Sequence, residues 1–301
     1  MMVNKGISTP IAILAMLVIG LIYGCVLGYV IAYMNIPPWI ATLAGYLAFR
    51  GWGTSILSKN STTGSVAPIP KDFLSIFSGK LFETPPNQMN MICLIVGIIC
   101  AVIVVFVNVN NRSKRIKKGY PVDTVQALAI KTVLIVAVIL LVTYKLALAG
   151  GIPTTLVWVA VVVLIYSFIT EKTTTGRYFY TVGGNAEATR LSGVDTKRIM
   201  FLAYLNMSML TVVTTFLVIS RFQAANSTAG TNYEMDAISA CVVGGVSAYG
   251  GAGSVTGMIV GATLIGVINL GMSLMGIDAN WQKVVKGLVL LGAVVFEIVN
   301  N

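Results

Sequence analysis

The chain has 301 residues, 56% hydrophobic and only 10% charged, where a soluble domain carries about 25% charged. Its formal net charge is +10 and it has no histidine, which excludes histidine-based acid–base and metal chemistry. The excess is not a nucleic-acid footprint: much of it sits in two short loops, and Lys- and Arg-rich loops mark the cytoplasmic side of a membrane protein.

The elements follow from apolar runs that approach the roughly 20 residues needed to cross hydrocarbon. Ile11 to Tyr33 is the first span. Pro37-Pro38 starts the second, Trp39 to Leu57, with Arg50 inside it. Proline suits a first helical turn because its missing N–H would be unpaired there anyway. Ser58 to Asn90 is polar, carries Pro68, Pro70, Pro85 and Pro86, and reads as an extramembrane loop. Met91 to Val107 spans. Asn108 to Asp123 is the first basic loop, with Arg112, Lys114, Arg115, Lys117 and Lys118. Lys131 to Leu148 and Thr154 to Ile169 span, joined by a tight turn over Ala149 to Pro153. Thr170 to Arg198 is the second basic loop, holding Lys172, Arg177, Arg190, Lys197 and Arg198. Counting spans puts both basic loops on one side, in agreement with their charge.

Ile199 to Ser220 spans outward, and Arg221 to Asp236 follows with Glu234 and Asp236. Ala237 to Val246 is apolar but half a span, and Gly244-Gly245, Gly250, Gly251 and Gly253 break it. This predicts either a discontinuous or re-entrant helix, tolerated at membrane depth only under cover and often lining a substrate path, or a short buried helix. Gly253 to Leu274 and Trp281 to Val299 complete an all-α, polytopic transmembrane helical bundle over residues 1–301. Gly20, Gly24 and Gly28, and Gly253, Gly257 and Gly261, recur at four-residue spacing. Each set makes a smooth helix face that allows close backbone approach, more often within a subunit than between subunits. The four cysteines, Cys25, Cys93, Cys100 and Cys241, lie in apolar runs without metal-ligand spacing and read as small core residues.

The polar block Val182 to Val194 stands out. Asn185 can cap a helix by accepting from a free backbone N–H. Gly193 suits the left-handed residue after a helix end. About two turns lie between, roughly 10 Å, with Glu187 near the positive end of the helix dipole and Ala186, Ala188 and Leu191 as contact surface. Two readings stand: a capped plug for a partner's groove, or a structured connection between spans.

Gly183-Gly184-Asn185-Ala186-Glu187-Ala188-Thr189-Arg190-Leu191-Ser192-Gly193-Val194 closely resembles the cytoplasmic coupling segment of bacterial sugar permeases of the ATP-binding cassette (ABC) type, in the carbohydrate uptake transporter-2 family. Ile36 to Leu43, Ser227 to Ala240 and Val243 to Gly253 resemble that family's helix start, external loop and glycine-rich turn. The resemblance runs over nearly the whole chain. The basic insertion from Arg112 to Pro121 is more like the xylose and multiple-monosaccharide branch than the ribose branch.

The resemblance implies a permease subunit of an ATP-driven monosaccharide importer in the bacterial inner membrane. Its partners would be a cytoplasmic sugar ATPase, a periplasmic or lipid-anchored sugar-binding protein, a second permease subunit (a homodimer) and the bilayer. It assigns ATPase coupling to Gly183, Gly184, Asn185, Glu187, Arg190, Leu191, Ser192 and Gly193. This chain would bind no cofactor and hold no catalytic residue; ATP and Mg would sit on the partner. Consistently, the sequence has no Gly-x-x-x-x-Gly-Lys-Ser/Thr phosphate loop; Gly53 to Lys59 is its nearest imitation. Relatives usually carry further N-terminal spans with a Leu-Ser-Val-Gly-Ser type motif, so the expectation is an N-terminally incomplete subunit, a misplaced start or a shortened paralogue.

For the sugar path, Asn206, Ser208 and Asn269 are polar residues in spans, either substrate contacts or helix–helix hydrogen bonds. The Ala237 to Gly253 region, with Ser239, Gly244 and Gly245, is the better candidate. Glu234 and Asp236 either meet the binding protein or are solvated acids. A secondary transporter is the rival class, although no carboxylate sits securely mid-span, where ion coupling usually needs one. A membrane enzyme is the other, disfavoured because histidine and clustered intramembrane acids are lacking.

Overall fold

The computed structural model describes residues 2, 6–61, 64–85, 89–117, 119 and 124–300. Its helices are α1 (Thr9–Ala32), α2 (Pro38–Asn60), α3 (Lys71–Ser78), α4 (Met91–Lys117), α5 (Val125–Leu148), α6 (Thr154–Lys172), α7 (Thr174–Gly184), α8 (Ala186–Leu191), α9 (Thr196–Phe222), α10 (Tyr233–Val243), α11 (Val255–Leu274) and α12 (Ala279–Asn300). Four two-residue strands, β1 (Ser65–Val66), β2 (Lys80–Leu81), β3 (Ile152–Pro153) and β4 (Ala225–Asn226), pair antiparallel as β1–β4 and β2–β3.

Among the described residues six helices are long and apolar enough to cross a membrane: α1, α4 up to Lys114, α5, α6, α9 and α11. Their side chains explain why. On α1 the buried positions include Gly20, Gly24 and Gly28, while Leu14 is 63% and Ile22 59% exposed. A helix apolar all round, with its large side chains outward, belongs in lipid rather than in water. The expected all-α polytopic architecture is therefore present. α2 and α12 coincide with the other two expected full spans but stand outside that set; α2 carries Arg50, and α12 carries Lys283, Lys286 and Glu297.

The chain divides into two compact units, Leu74–Trp158 and the remainder. In the smaller, α4 packs on α5, with Asn108 Nδ2 donating to Thr132 Oγ1 at 3.2 Å. Asn90 is fully buried and fully used. Its Oδ1 accepts from Ile92 N at 3.0 Å and Cys93 N at 3.2 Å, capping α4. Its Nδ2 donates to Phe82 O, and its backbone N donates to Ala147 O on α5. Phe77 stacks on Trp158 at 5.5 Å, and the Trp158 indole donates to Ile76 O.

In the larger unit α1 packs antiparallel on α9 through the glycine face. A Cβ at Gly24 would lie 2.9 Å from Ser208 Cβ and 3.1 Å from Leu205 Cα. Ser208 Oγ donates to Gly20 O at 2.7 Å. That glycine set packs helices within one chain, as read above. So does part of the second: a Cβ at Gly261 would run into Ala240 O of α10.

Three expected loops are corrected. The first basic loop is helical as far as Lys117, because its Lys, Arg and Asn side chains are compatible with a helix continuing into water. The second holds α7, α8 and the first turn of α9; Thr173 caps α7 and Asp195 caps α9 with side-chain oxygens. Ser58 to Asn90 contains α3, whose Phe73 and Phe77 are buried, besides β1 and β2. Pro86, Lys118 and positions 120–123 lie outside the described residues. The cysteines are free thiols: Cys93 is buried, Cys25 and Cys241 are half-buried, and Cys100 is exposed on α4 rather than in a core.

Candidate functional site

The polar block forms a short helix closed at both ends. Asn185 has extended backbone (φ −155°), and its Oδ1 accepts from Ala188 N at 2.9 Å. Six residues of helix follow, Ala186–Leu191. Gly193 then takes φ +85°, its N–H bonding Arg190 O at 2.9 Å while Val194 N bonds Thr189 O at 3.3 Å. This 6→1 and 5→2 pair is a Schellman ending. Of the helical residues Thr189 alone is buried; its hydroxyl returns to Asn185 O at 2.8 Å. Ser192 Oγ likewise bonds Ala188 O at 2.9 Å.

α8 thus presents nearly its whole surface. Glu187 and Arg190 pair at 2.6 Å, both about two-thirds exposed, and Leu191 is 79% exposed. The hydrogen bond and charge of Glu187 push the Arg190 pKa up from its ordinary value, so the guanidinium stays charged. A pair this open contributes little to stability, so its chemistry is available to a partner.

Gly183 and Gly184 do a different job. They close α7 and lie against Gly250 and Gly251 of the turn between α10 and α11. A Cβ at Gly183 would stand 3.1 Å from Gly251 N, and one at Gly251 would stand 2.8 Å from Gly184 Cα. The two glycine motifs are therefore one backbone-to-backbone contact directly before the exposed helix. Ala248 N, in the same turn, donates to Glu297 Oε2 of α12 at 3.3 Å.

The expected path residues separate. α10 has 11 residues, roughly 16 Å of helix, too short to cross hydrocarbon alone. Gly244 and Gly245 end it, with Gly244 against Gly257 of α11. Asn206 accepts from Tyr166 OH, tying α9 to α6. Asn269 keeps a buried Oδ1 without a hydrogen bond among the described residues. Ser239 is buried on α10 and lines a cavity of about 420 Å³ between α10 and α12, together with Asp236. Glu234 is exposed, whereas Asp236 is half-buried and held by Lys286, whose Nζ lies 2.8 Å from Oδ1 and donates to Oδ2 at 2.9 Å. Neither Asn206 nor Asn269 lines that cavity.

Lys286 and Gln282 were missed as site residues. A lysine inside the apolar run Trp281 to Val299 was the available signal, because ionisable groups in spans default to functional hypotheses. The Gly183–Gly251 contact left no such signal, since nothing local says which glycine pair meets which. Among the described residues no three His, Cys, Asp or Glu side chains are grouped as metal ligands would be.

The comparisons with known proteins bear on the whole chain. Residues 1–294 match the family model described as the branched-chain amino acid transport system / permease component. The chain belongs to this permease family. Among its relatives is a xylose transport system permease protein of Haemophilus influenzae, 35% identical over 98% of this chain and 76% of that protein. A xylose transport system permease protein of Escherichia coli is 32% identical over 96% of this chain and 71% of its own length. A ribose import permease protein of Escherichia coli is 38% identical over 49% of this chain and 46% of its own. No solved structure matches significantly. The resemblance read from the sequence thus holds at the level of the family and its xylose-type members.

Proposed function

We propose that the chain is the membrane-spanning permease subunit of an ATP-driven importer for monosaccharides, xylose or a related sugar. The observation that carries the coupling half of this reading is α8: a six-residue helix capped at both ends whose apolar Leu191 and Glu187–Arg190 pair are turned out to solvent. A structure held this carefully and then left uncovered suits insertion into the groove of a cytoplasmic ATPase. The sugar assignment is supported by the xylose and ribose permeases to which the chain is similar.

In this reading the chain carries no catalytic residue of its own. ATP and Mg are bound by the partner ATPase, a periplasmic or lipid-anchored binding protein delivers the sugar, and a second permease subunit completes the path in the bacterial inner membrane. Of the two acids, exposed Glu234 is the better placed to meet the binding protein.

The test is uptake of labelled D-xylose and D-ribose into proteoliposomes holding the chain, its ATPase and its binding protein. ATP-dependent uptake without an ion gradient is expected. Uptake that runs on a proton or sodium gradient and ignores ATP would replace this reading with a secondary transporter.

A further inference from the structure

We infer that the cavity between α10 and α12 is a monosaccharide subsite of the translocation path; this rests on the permease reading above. Its volume, about 420 Å³, falls in the range of small-molecule sites. Its wall mixes hydrogen-bonding side chains (Asp236, Lys286, Gln282, Ser239) with Tyr233 and Leu290. A sugar ring needs that mixture: donors and acceptors for its hydroxyls, and apolar surface for its C–H face.

The polar groups are held but not used up. Ser239 is 2% exposed and lines the cavity. A serine hydroxyl can both donate and accept, so at this wall it can bond a ligand hydroxyl. Lys286 has three donors and Asp236 as its partner, so it can serve a ligand as well. Gln282 is oriented by its amide N–H donating to Ile277 O at 2.9 Å, which leaves its carbonyl as an acceptor. The Asp236–Lys286 charges cancel, which suits a neutral ligand, although Lys283 on the wall adds one positive charge.

The rim is fixed as well. Thr231 lines the cavity, donates to Thr228 O at 2.6 Å and accepts from Arg50 of α2. Arg50 is therefore a positioning residue for this edge. The cavity between α1, α2 and α9 is of similar size and is lined by hydroxyls such as Tyr23, Thr42 and Thr215, but it has no charged wall and no amide.

Two measurements on the full transporter test the inference. The first is uptake of D-xylose and D-ribose by Ser239→Ala, by Lys286→Met and by the charge swap Asp236→Lys with Lys286→Asp. A rise of about tenfold in half-saturating sugar is expected for each, the equivalent of a lost hydrogen bond to ligand, with ATPase association unchanged. A swap that restores native uptake would make the pair a helix pin and overturn the subsite. The second is thiol labelling of Ser239→Cys in a chain with its four native cysteines replaced by Ala. Protection by D-xylose or D-ribose, but not by inorganic phosphate, is expected. Protection by phosphate alone, or by none of the three, overturns the proposal. Sugar protection in a transporter that ignores ATP would keep the subsite and overturn the importer reading instead.

Discussion

The exposed helix α8 can be loosened from either end without touching its exposed face. A six-residue helix is far below the roughly 12 residues at which isolated helices become even marginal in water, so its end caps decide whether it forms. Asn185→Ala removes the acceptor for Ala188 N, a loss of about 1 kcal/mol. Gly193→Ala leaves space untouched, since nothing lies within 4 Å of a Cβ there. Its cost is the left-handed backbone (φ +85°), roughly 1–2 kcal/mol for a residue with a Cβ. One kcal/mol is about a fivefold change in an equilibrium constant, and the sites lie at opposite ends of one helix. Each variant is expected to weaken association with the ATPase about fivefold and to lower ATP-driven uptake with it, and the double variant should lose more than either. Asn185→Asp retains a capping oxygen and should behave as native. The assay is titration of purified ATPase onto the chain in nanodiscs, with uptake in parallel. Native association by both single variants, in chains that fold normally, would refute the claim that this geometry is what the partner reads.

Other outcomes follow from the same contacts. Glu187→Ala with Arg190→Ala removes only an exposed pair, so the melting temperature should stay within experimental scatter, while ATPase association falls if those charges face the partner. Gly24→Leu places side chain where Leu205 Cα lies 3.1 Å from a Cβ and should separate α1 from α9, costing about 1–3 kcal/mol as overpacking, seen as a lower midpoint in thermal unfolding in detergent. Ser208→Ala at the same interface removes one bond to Gly20 O and should cost only about 0.6 kcal/mol. Gly251→Ala combines positive φ (+79°) with a Cβ 2.8 Å from Gly184 Cα; it should leave ATPase association intact yet cut uptake, and normal uptake would count against the glycine contact as a transmission element.

The long apolar helices were legible because they depend on composition, which each segment carries by itself. The runs from Ile11, Met91, Lys131, Thr154, Ile199 and Gly253 each coincide with one of the six apolar helices to within two residues or lie inside it. The short helix before the glycine turn was legible for the same reason. So were both caps of α8, because Asn185 and Gly193 act on their own backbone neighbours. What was not legible depends on partners distant in the chain. Polarity alone made Ser58 to Asn90 look like a loop, because nothing local shows that Phe77 would meet Trp158 or that Asn90 would be pinned between Phe82 and Ala147. Asp236 looked like a free acid until Lys286, fifty residues on, came to lie beside it.

The position of the glycine contact matters more than its closeness. Gly183 and Gly184 end α7, and the next residue, Asn185, caps α8. Displacement of α8 by a partner must therefore move the end of α7, with no flexible linker between them to absorb it. On the other side of the contact, Gly250 and Gly251 belong to the turn that ends α10 and starts α11. Side chains between two elements can change rotamer and dissipate a push; two backbones in contact cannot. α10 in turn is a single 11-residue helix carrying Gly244 at the turn end and Asp236 and Ser239 nearer its start, where they line the cavity shared with α12. The order along the chain gives a short mechanical route from an exposed helix to a polar cavity, made of one glycine contact and one short helix. In a transporter of this family such a route would let closure of an ATPase alter the cavity wall without any residue touching both.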